Sequence, residues 1–326
     1  VYDFDGSEQP FILFDAKGQF ADVKTQEIQI VSNENSPAWL DWIVGAFHIN
    51  QEAGFPINSL GAAGLDTLIS DVTSLFPPGA QDAIDAFLAT IGAPNGSVAL
   101  VSLQAAESKA YFAQTTIRMF DDVLALTLGG RYQEETRKVI ESSSNLLNAD
   151  GSFTEIQSYR GTSNDDNNFS PKVSLAYTPW DDVMFYASYT QGFKSGTYNT
   201  VNVYDPPEFV EAETVTTYEL GLKSQFFDRA LTFNAAIFEN TIDNLQVQFI
   251  SLLSGGAVSL ENAGGAKIKG VDMDLQWVPL PNLNPNMVLA LSGSYLDSEY
   301  TEYEDGSGYN EGDGLYNGGT GNFTGN

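Results

Sequence analysis

The chain has 326 residues, 42% of them hydrophobic, which supplies enough apolar material to cover a large surface and sets it apart from disordered sequences. Fourteen basic residues against 43 acidic ones give a formal net charge of -29, so a phosphate backbone is repelled and no nucleic acid partner is expected. Cysteine is absent and His48 is the lone histidine, which removes thiol chemistry, disulfides and cysteine metal sites; no run of about 18 apolar residues offers a helical membrane span.

The opening VYDFDGSEQPF has neither a basic start nor an apolar signal core, and the closing GDGLYNGGTGNFTGN has the composition of a mid-loop segment. Both ends are expected to be cut points in a longer protein. Between them one unit recurs: about ten residues of alternating character, a short polar turn, a second such stretch and a long polar connection.

The first hairpin turns at Asn33 to Pro37. A connection at roughly 51 to 107 follows and holds the helical pattern LDTLISDVTSLF and PPGAQDAIDAFLATIG, interrupted at Pro77 and Pro78. Such a helix either covers the mouth of a barrel or packs on neighbouring loops. Tyr111, Ala113, Thr115, Ile117 and Met119 then share a face and lead through a turn at Phe120 to Asp122 into Leu124, Leu126, Leu128 and Tyr132.

After a connection at 135 to 168 a hairpin crosses Pro179 to Asp182, and a further connection spans 193 to 213. Thr214 to Gln225 alternates most clearly, with Thr216, Tyr218, Leu220 and Leu222 opposed to Thr217, Glu219, Gly221, Lys223 and Gln225. A tight turn at Phe227 to Arg229 leads to Leu231, Phe233, Ala235 and Ile237. Beyond a connection at 251 to 264, VDMDLQWVP and MVLALSGSYL are joined by a turn at Leu280 to Pro285, and a last connection runs from 298 onward.

About ten strands result, with short and long connections in strict alternation. That pattern predicts an all-β, antiparallel transmembrane outer-membrane β-barrel, since only a closed barrel satisfies every backbone group in lipid and such barrels carry short periplasmic turns and long extracellular loops. Ten residues of about 3.3 Å each, tilted near 40°, span roughly 25 Å, the height of the apolar band. Trp39, Trp42, Trp180, Tyr186, Trp277 and Tyr295 fall near turns or loop mouths, as an interfacial girdle requires. A soluble β-sandwich or propeller shares the alternation but not the loop asymmetry.

Ser170 to Asn199, SPKVSLAYTPWDDVMFYASYTQGFKSGTYN, places a Tyr-x-Pro turn at Tyr177 to Pro179 and a Gly-Phe-x-Ser-Gly element at Gly192 to Gly196. This stretch resembles the barrel signature of TonB-dependent receptors. ETVTTYELGLKSQFFDRALTFNAAIFENTIDNLQVQ and ENAGGAKIKGVDMDLQWVP follow in the order of that family's strand blocks, and KTQEIQIVS, PAWLDWIVGAFHINQE and AYFAQTTIRMFDDVLALTLGGRYQEETRK are similar to its earlier ones. The resemblance covers nearly the whole chain apart from the loops.

The resemblance implies residues 1-326 as part of a 22-stranded barrel, about ten strands of it, with the plug domain, the TonB box and the C-terminal strands outside this sequence. It further implies active, TonB-dependent nutrient uptake across the outer membrane of a Gram-negative bacterium, an iron-siderophore complex being expected first and vitamin B12 or a carbohydrate next. The implied partners are TonB with its inner-membrane energising complex, the small-molecule ligand, and outer-membrane lipid with lipopolysaccharide. A passive porin or adhesin would share the strands, and a barrel-embedded hydrolase would need a clustered nucleophile and base that one histidine and no cysteine make scarce.

Barrel importers bind substrate with inward side chains and loops, so the candidates for ligand contact are Arg118, Arg131, Lys172, Glu219, Lys223, Asp272 and Asp274. The alternative is that these are ordinary charges of a polar interior, paired with one another or with the plug. No catalytic, cofactor or metal residue is expected. Asp121 with Asp122 and Asp165 with Asp166 are read as turn formers, because adjacent strand residues point to opposite faces. Glu304 to Gly314, EDGSGYNEGDG, has an oxygen-rich composition without EF-hand spacing and is read as a surface loop. Lys267 and Lys269 are expected to point outward near the extracellular rim, beside lipopolysaccharide phosphates. Gly192 and Gly196 are expected to permit close or unusual backbone paths.

Overall fold

The structure, a computed structural model, describes residues 2–3, 13–16, 18–61, 97–147, 152–200, 206–251, 257–303, 306–307, 320–321 and 324–325. The two helical segments expected within 51 to 107 lie in 62–96, outside the described residues, as does most of 304–314. Ten long strands make the frame: β1 (Phe20–Val31), β2 (Leu40–Gly61), β3 (Ser97–Met119), β4 (Leu124–Leu147), β5 (Ser163–Trp180), β6 (Val183–Lys194), β7 (Glu213–Phe226), β8 (Leu231–Asp243), β9 (Gly265–Trp277) and β10 (Leu289–Glu302).

Each of these pairs antiparallel with the next in chain order, so the sheet is an unbroken up-and-down meander. No crossover interrupts it among the described residues, and no pairing joins β10 back to β1. Shorter strands attach at the loop ends: Leu13–Ala16 on β2 and Phe153–Tyr159 on β4. Two small hairpins, Thr197–Asn199 with Glu208–Val210 and Gln246–Ser251 with Ala257–Asn262, form separate two-stranded pieces.

The register carries the argument for the two faces. One row of directly opposed residues runs Leu40, Ile117, Leu126, Leu175, Ala187, Leu220, Ile237, Val271, Tyr295 across β2 to β10. The row shifted by one residue runs Asp41, Thr116, Thr127, Ser174, Ser188, Glu219, Phe238, Gly270, Leu296. Because strand side chains alternate, the first row belongs to a face that is apolar throughout and the second to a face that is polar over most of its length. The apolar face is not covered: Ile28, Ile30, Leu175, Leu220, Ile237, Met273 and Leu291 are all exposed. Its chemistry suits hydrocarbon rather than water.

Buried apolar side chains, Leu100, Val139, Tyr198, Val210, Ala263 and Ala266 among them, gather at the loop end instead. There the strands run past the expected limits. β2 continues to Gly61, β3 begins at Ser97, β4 continues to Leu147 and β5 begins at Ser163, although 51 to 107 and 135 to 168 are polar enough to read as connections. Backbone pairing needs no apolar face, and where successive residues are buried on both faces, as Ser142, Ser143 and Ser144 are, no alternation is left to detect.

Two of the tight turns share one conformation. Phe120, Asp121 and Asp122 have φ of 57°, 55° and 70°, and Phe227, Asp228 and Arg229 have 56°, 53° and 67°. Each is closed by a backbone bond across it, from Val123 N–H to Phe120 O at 3.2 Å and from Ala230 N–H to Phe227 O at 3.0 Å. Aspartate tolerates this left-handed region better than most residues, which is why both Asp121 and Asp122 serve as turn formers.

Candidate ligand-facing surface

The pairings put all seven nominated residues on the polar face. Arg118 stands opposite Ala125, Arg131 opposite Ser170, Lys172 opposite Thr190, Glu219 opposite Ser188, Lys223 opposite Met184, and Asp272 and Asp274 opposite Ser294 and Ser292. Sharing a face does not make them one cluster. Arg118 sits at the turn end, ion-paired with Asp41, donating to the Ala38 carbonyl at 3.2 Å and lying 3.8 Å from Asp122. It ties two turns together.

Glu219 and Lys223 meet through a residue expected elsewhere. Tyr186, placed by sequence reasoning in an interfacial girdle, instead faces the polar side, donates its hydroxyl to Glu219 Oε1 and lies under the Lys223 ammonium, 5.8 Å from ring centroid to Nζ. Cross-strand Gly221 permits this, because a Cβ there would stand 2.3 Å from the Tyr186 ring. Asp272 and Asp274 follow two strands further on, and together with Lys172 they make no ion pair among the described residues.

Arg131 begins a ladder whose other members the sequence reading passed over. Residues 131, 133, 135 and 137 alternate onto the polar face of β4: Arg131 Nε–H donates to Gln133 Oε1 at 2.9 Å, Gln133 Nε2 donates to Glu135 Oε1 at 2.7 Å, and Arg137 Nη2 lies 3.7 Å from Glu135 Oε2. Arg131 also stands 5.5 Å from the Phe47 ring centroid. The signal was available, since the period of two that nominates Arg131 nominates its neighbours as well.

Above the polar face, side-chain amides bind loop segments together. Asn199 Nδ2 donates to Leu260 O at 2.7 Å and Leu260 N–H donates back to Asn199 Oδ1 at 2.9 Å. Gln246 Nε2 donates to Ser195 O and Glu211 O, while Gln246 N–H donates to Glu213 Oε2 at 2.8 Å. Thr200 reaches back to the strands, sharing a hydroxyl bond with Ser102 at 2.6 Å and receiving the Ser142 hydroxyl on its carbonyl. At the far edge the Tyr303 hydroxyl donates to Glu261 at 2.9 Å, and burial, then that carboxylate, push the phenol up from its ordinary value. Gly196 is a close approach, its Cβ position 2.7 Å from the Val210 carbonyl; Gly192 has open space and negative φ, so nothing there requires glycine.

On the apolar face, Lys267 and Lys269 point outward as expected, sharing registered rows with Thr241 and Glu239. Both bond Glu239, at 3.3 and 3.8 Å, and stand opposite Glu299 and Asp297. Two ammonium groups against three carboxylates make an ionic patch that is net anionic rather than cationic.

The family model described as TonB dependent receptor-like, beta-barrel matches residues 30–326. Over 117 residues the chain is 32% identical to the ferric-pyoverdine 358 receptor of Pseudomonas putida, covering 35% of this chain and 14% of that protein. Over 146 residues it is 33% identical to the pesticin receptor of Yersinia enterocolitica, covering 44% of this chain and 20% of that protein. Among solved structures, the ferric yersiniabactin uptake receptor FyuA from Yersinia pestis superposes with a TM-score of 0.64 at 17% identity, over 90% of this chain and 37% of that one. The ferric-catecholate import receptor Fiu from K12 E. coli gives 0.55 at 14% identity, over 91% and 40%. The chain thus spans well under half the length of the relatives it matches.

Proposed function

This chain belongs to the TonB-dependent receptor-like β-barrel family, and on that premise we propose that it is wall and loop structure of an outer-membrane receptor for active uptake of an iron-siderophore complex. The observation that carries the reading is the register itself: one uncovered apolar face, one polar face and a loop collar above the latter, in a chain-order meander. The relatives matched over this segment are receptors for ferric pyoverdine and pesticin, which favours a siderophore over vitamin B12 or a carbohydrate.

In this reading the apolar face lies against outer-membrane lipid, the polar face lines the lumen, and residues 1-326 form part of a 22-stranded barrel closed around a plug. TonB and its inner-membrane energising complex act through that plug. Ligand descends past the collar and is passed along Arg131, Lys172, Tyr186, Glu219, Lys223, Asp272 and Asp274, which present exchangeable polar contacts. The test is uptake of iron-loaded hydroxamate, catecholate and phenolate siderophores by cells with and without the full-length protein. Loss of at least one on deletion, together with dependence on proton-motive force, is expected; uptake that survives deletion or de-energisation, as through a passive porin, overturns the reading.

Lipopolysaccharide is proposed to meet the rim at Lys267 and Lys269, with phosphates competing against Glu239 for the two ammonium groups. Unaltered binding of purified lipopolysaccharide by Lys267→Ala with Lys269→Ala counts against this contact.

A further inference from the structure

Three of the hairpin turns carry the same kind of tip: Phe120, Asp121 and Asp122 between β3 and β4, Trp180, Asp181 and Asp182 between β5 and β6, and Phe227, Asp228 and Arg229 between β7 and β8. We propose that these tips form a docking surface for a basic, extended segment of a periplasmic protein, each ring and its aspartate taking one lysine or arginine side chain. The proposal rests on the barrel reading above, which turns this end of the sheet toward the periplasm, and adds a partner to it.

Packing does not account for the rings. Phe120, Trp180 and Phe227 are 73%, 66% and 76% exposed, so none of them helps to build a core. Phe120 and Phe227 also open runs of positive φ, at 57° and 56°, where a Cβ crowds the backbone and a bulky side chain is out of place. Aspartate is at home in such a turn; phenylalanine is not. The aspartates next to the rings are open to a partner. Asp122 and Asp182 lie 3.8 Å from Arg118 and Arg229, whereas Asp121, Asp181 and Asp228 are exposed and make no ion pair among the described residues.

Charge selects the partner. The nine tip residues hold five carboxylates and one guanidinium. Apolar anchors that lie among lipid headgroups keep lysine or arginine beside their rings, because anionic phosphates attract those cations; aspartate in that place meets repulsion. A basic side chain suits both halves of each tip, with its charge over the ring face and against the carboxylate and its methylenes along the ring. Spacing selects the conformation. Successive tips are two strands apart, about 10 Å measured across the sheet. A polyproline II segment rises about 3.1 Å per residue and returns to the same side every third residue, so basic residues three apart fall on consecutive tips.

The probe is a fluorescein-labelled twelve-residue peptide with lysine at every third position and proline and serine between, followed by anisotropy with the folded full-length receptor in detergent at physiological salt. Wild type is expected to bind it saturably and to ignore the same peptide with glutamate for lysine. Joint replacement by Phe120→Ser, Trp180→Ser and Phe227→Ser leaves every carboxylate in place and is expected to weaken binding roughly tenfold or more. Asp121→Asn, Asp181→Asn and Asp228→Asn together keep the rings and the shape, are expected to weaken it as far, and keep the test open should the first set misfold. Undiminished binding by either variant or equal binding of the glutamate peptide overturns the proposal. So does a nitroxide at Phe227→Cys that in lipid nanodiscs is relaxed by oxygen rather than by aqueous chromium oxalate, since the ring then lies in the membrane. Siderophore uptake reports on the parent reading separately: a receptor that transports nothing yet holds the peptide leaves the docking surface standing, and one that transports but ignores the peptide removes the surface alone.

Discussion

Tyr186 shows how one small residue sets a network on the polar face. Its ring occupies the space where a Cβ on Gly221 would lie, and from there its hydroxyl reaches Glu219 while Lys223 sits over the ring. Phe112 uses Gly45 in the same way on β2 and β3, which identifies aromatic-over-glycine packing as a recurrent device of this sheet. Gly221→Ala is expected to displace the ring and cost about 1–2 kcal/mol, mostly the lost bond to a charged acceptor. Tyr186→Phe should give much of the same loss, and the double variant should be far from additive in urea unfolding of the folded receptor. Additive losses would show that the ring and the glycine act separately. Arg118 provides the contrast. Its partners Asp41 and Asp122 are at least half exposed at the turn end, so Arg118→Ala is expected to cost under about 1 kcal/mol and to leave siderophore uptake unchanged. Reduced uptake by a stably folded Arg118→Ala receptor would restore it as a ligand contact. Parity alone placed Arg118 beside Arg131 as a candidate; only the turn-end ion pairs, which no one-dimensional pattern encodes, separate the two.

At the scale of elements, the parts written in local chemistry were legible and the parts written in tertiary contact were not. Thr214 to Gln225 and Leu231 to Ile237 announce a hairpin because a sheet with one apolar and one polar face forces period-two alternation, and β7 with β8 follows that reading. The outer lengths of β2 and β3 do not announce themselves, since among their described side chains polar Ser102 is buried beside apolar Leu100 and the alternation is lost. The collar was also hidden. Asn199, Gln246 and Asn262 look like ordinary loop residues until folding brings them against backbone 18 to 61 residues away, counting Asn262 to Asn244 and Glu211 within that range. Asn199→Leu removes both bonds to Leu260 and leaves that residue's N–H and C=O without their partner. Local opening of the collar should become easier by about 1–3 kcal/mol, read as faster amide exchange at 197–200 and 257–262 with strands β6 to β9 unchanged. Uniformly faster exchange across the sheet would mean that the collar holds the barrel wall together rather than the loops.

The whole molecule is organised by the slope of its strands. The apolar row begins at Leu40, the first residue of β2, and ends at Tyr295, six residues into β10, having crossed eight strand spacings. Six steps of about 3.3 Å over eight of about 4.8 Å give an inclination of roughly 30°, close to the tilt of transmembrane barrels. The aromatic edge follows the same slope: Tyr111, Tyr132 and Phe169 are registered across β3 to β5, and the next aromatics, Tyr189 and Tyr218, begin opposite Val173, four residues nearer the turns. A girdle at constant height on tilted strands must step in this manner. From Tyr218 to Phe226 the apolar face of β7 covers about 23 Å of height at that tilt, near the thickness such barrels present to lipid. Leu220 lies inside this band, and Ser188 lies one registered row away, across from Glu219, with its side chain on the opposite face. Leu220→Arg puts a charge into hydrocarbon and is expected to destabilise by about 2–4 kcal/mol, whereas Ser188→Arg gains a carboxylate partner in a polar space and is expected to change stability by under about 1 kcal/mol. Refolding the full-length receptor into lipid vesicles and titrating with urea measures both. Equal penalties would mean that both faces meet the same medium, which neither a lipid-embedded wall nor a polar lumen allows.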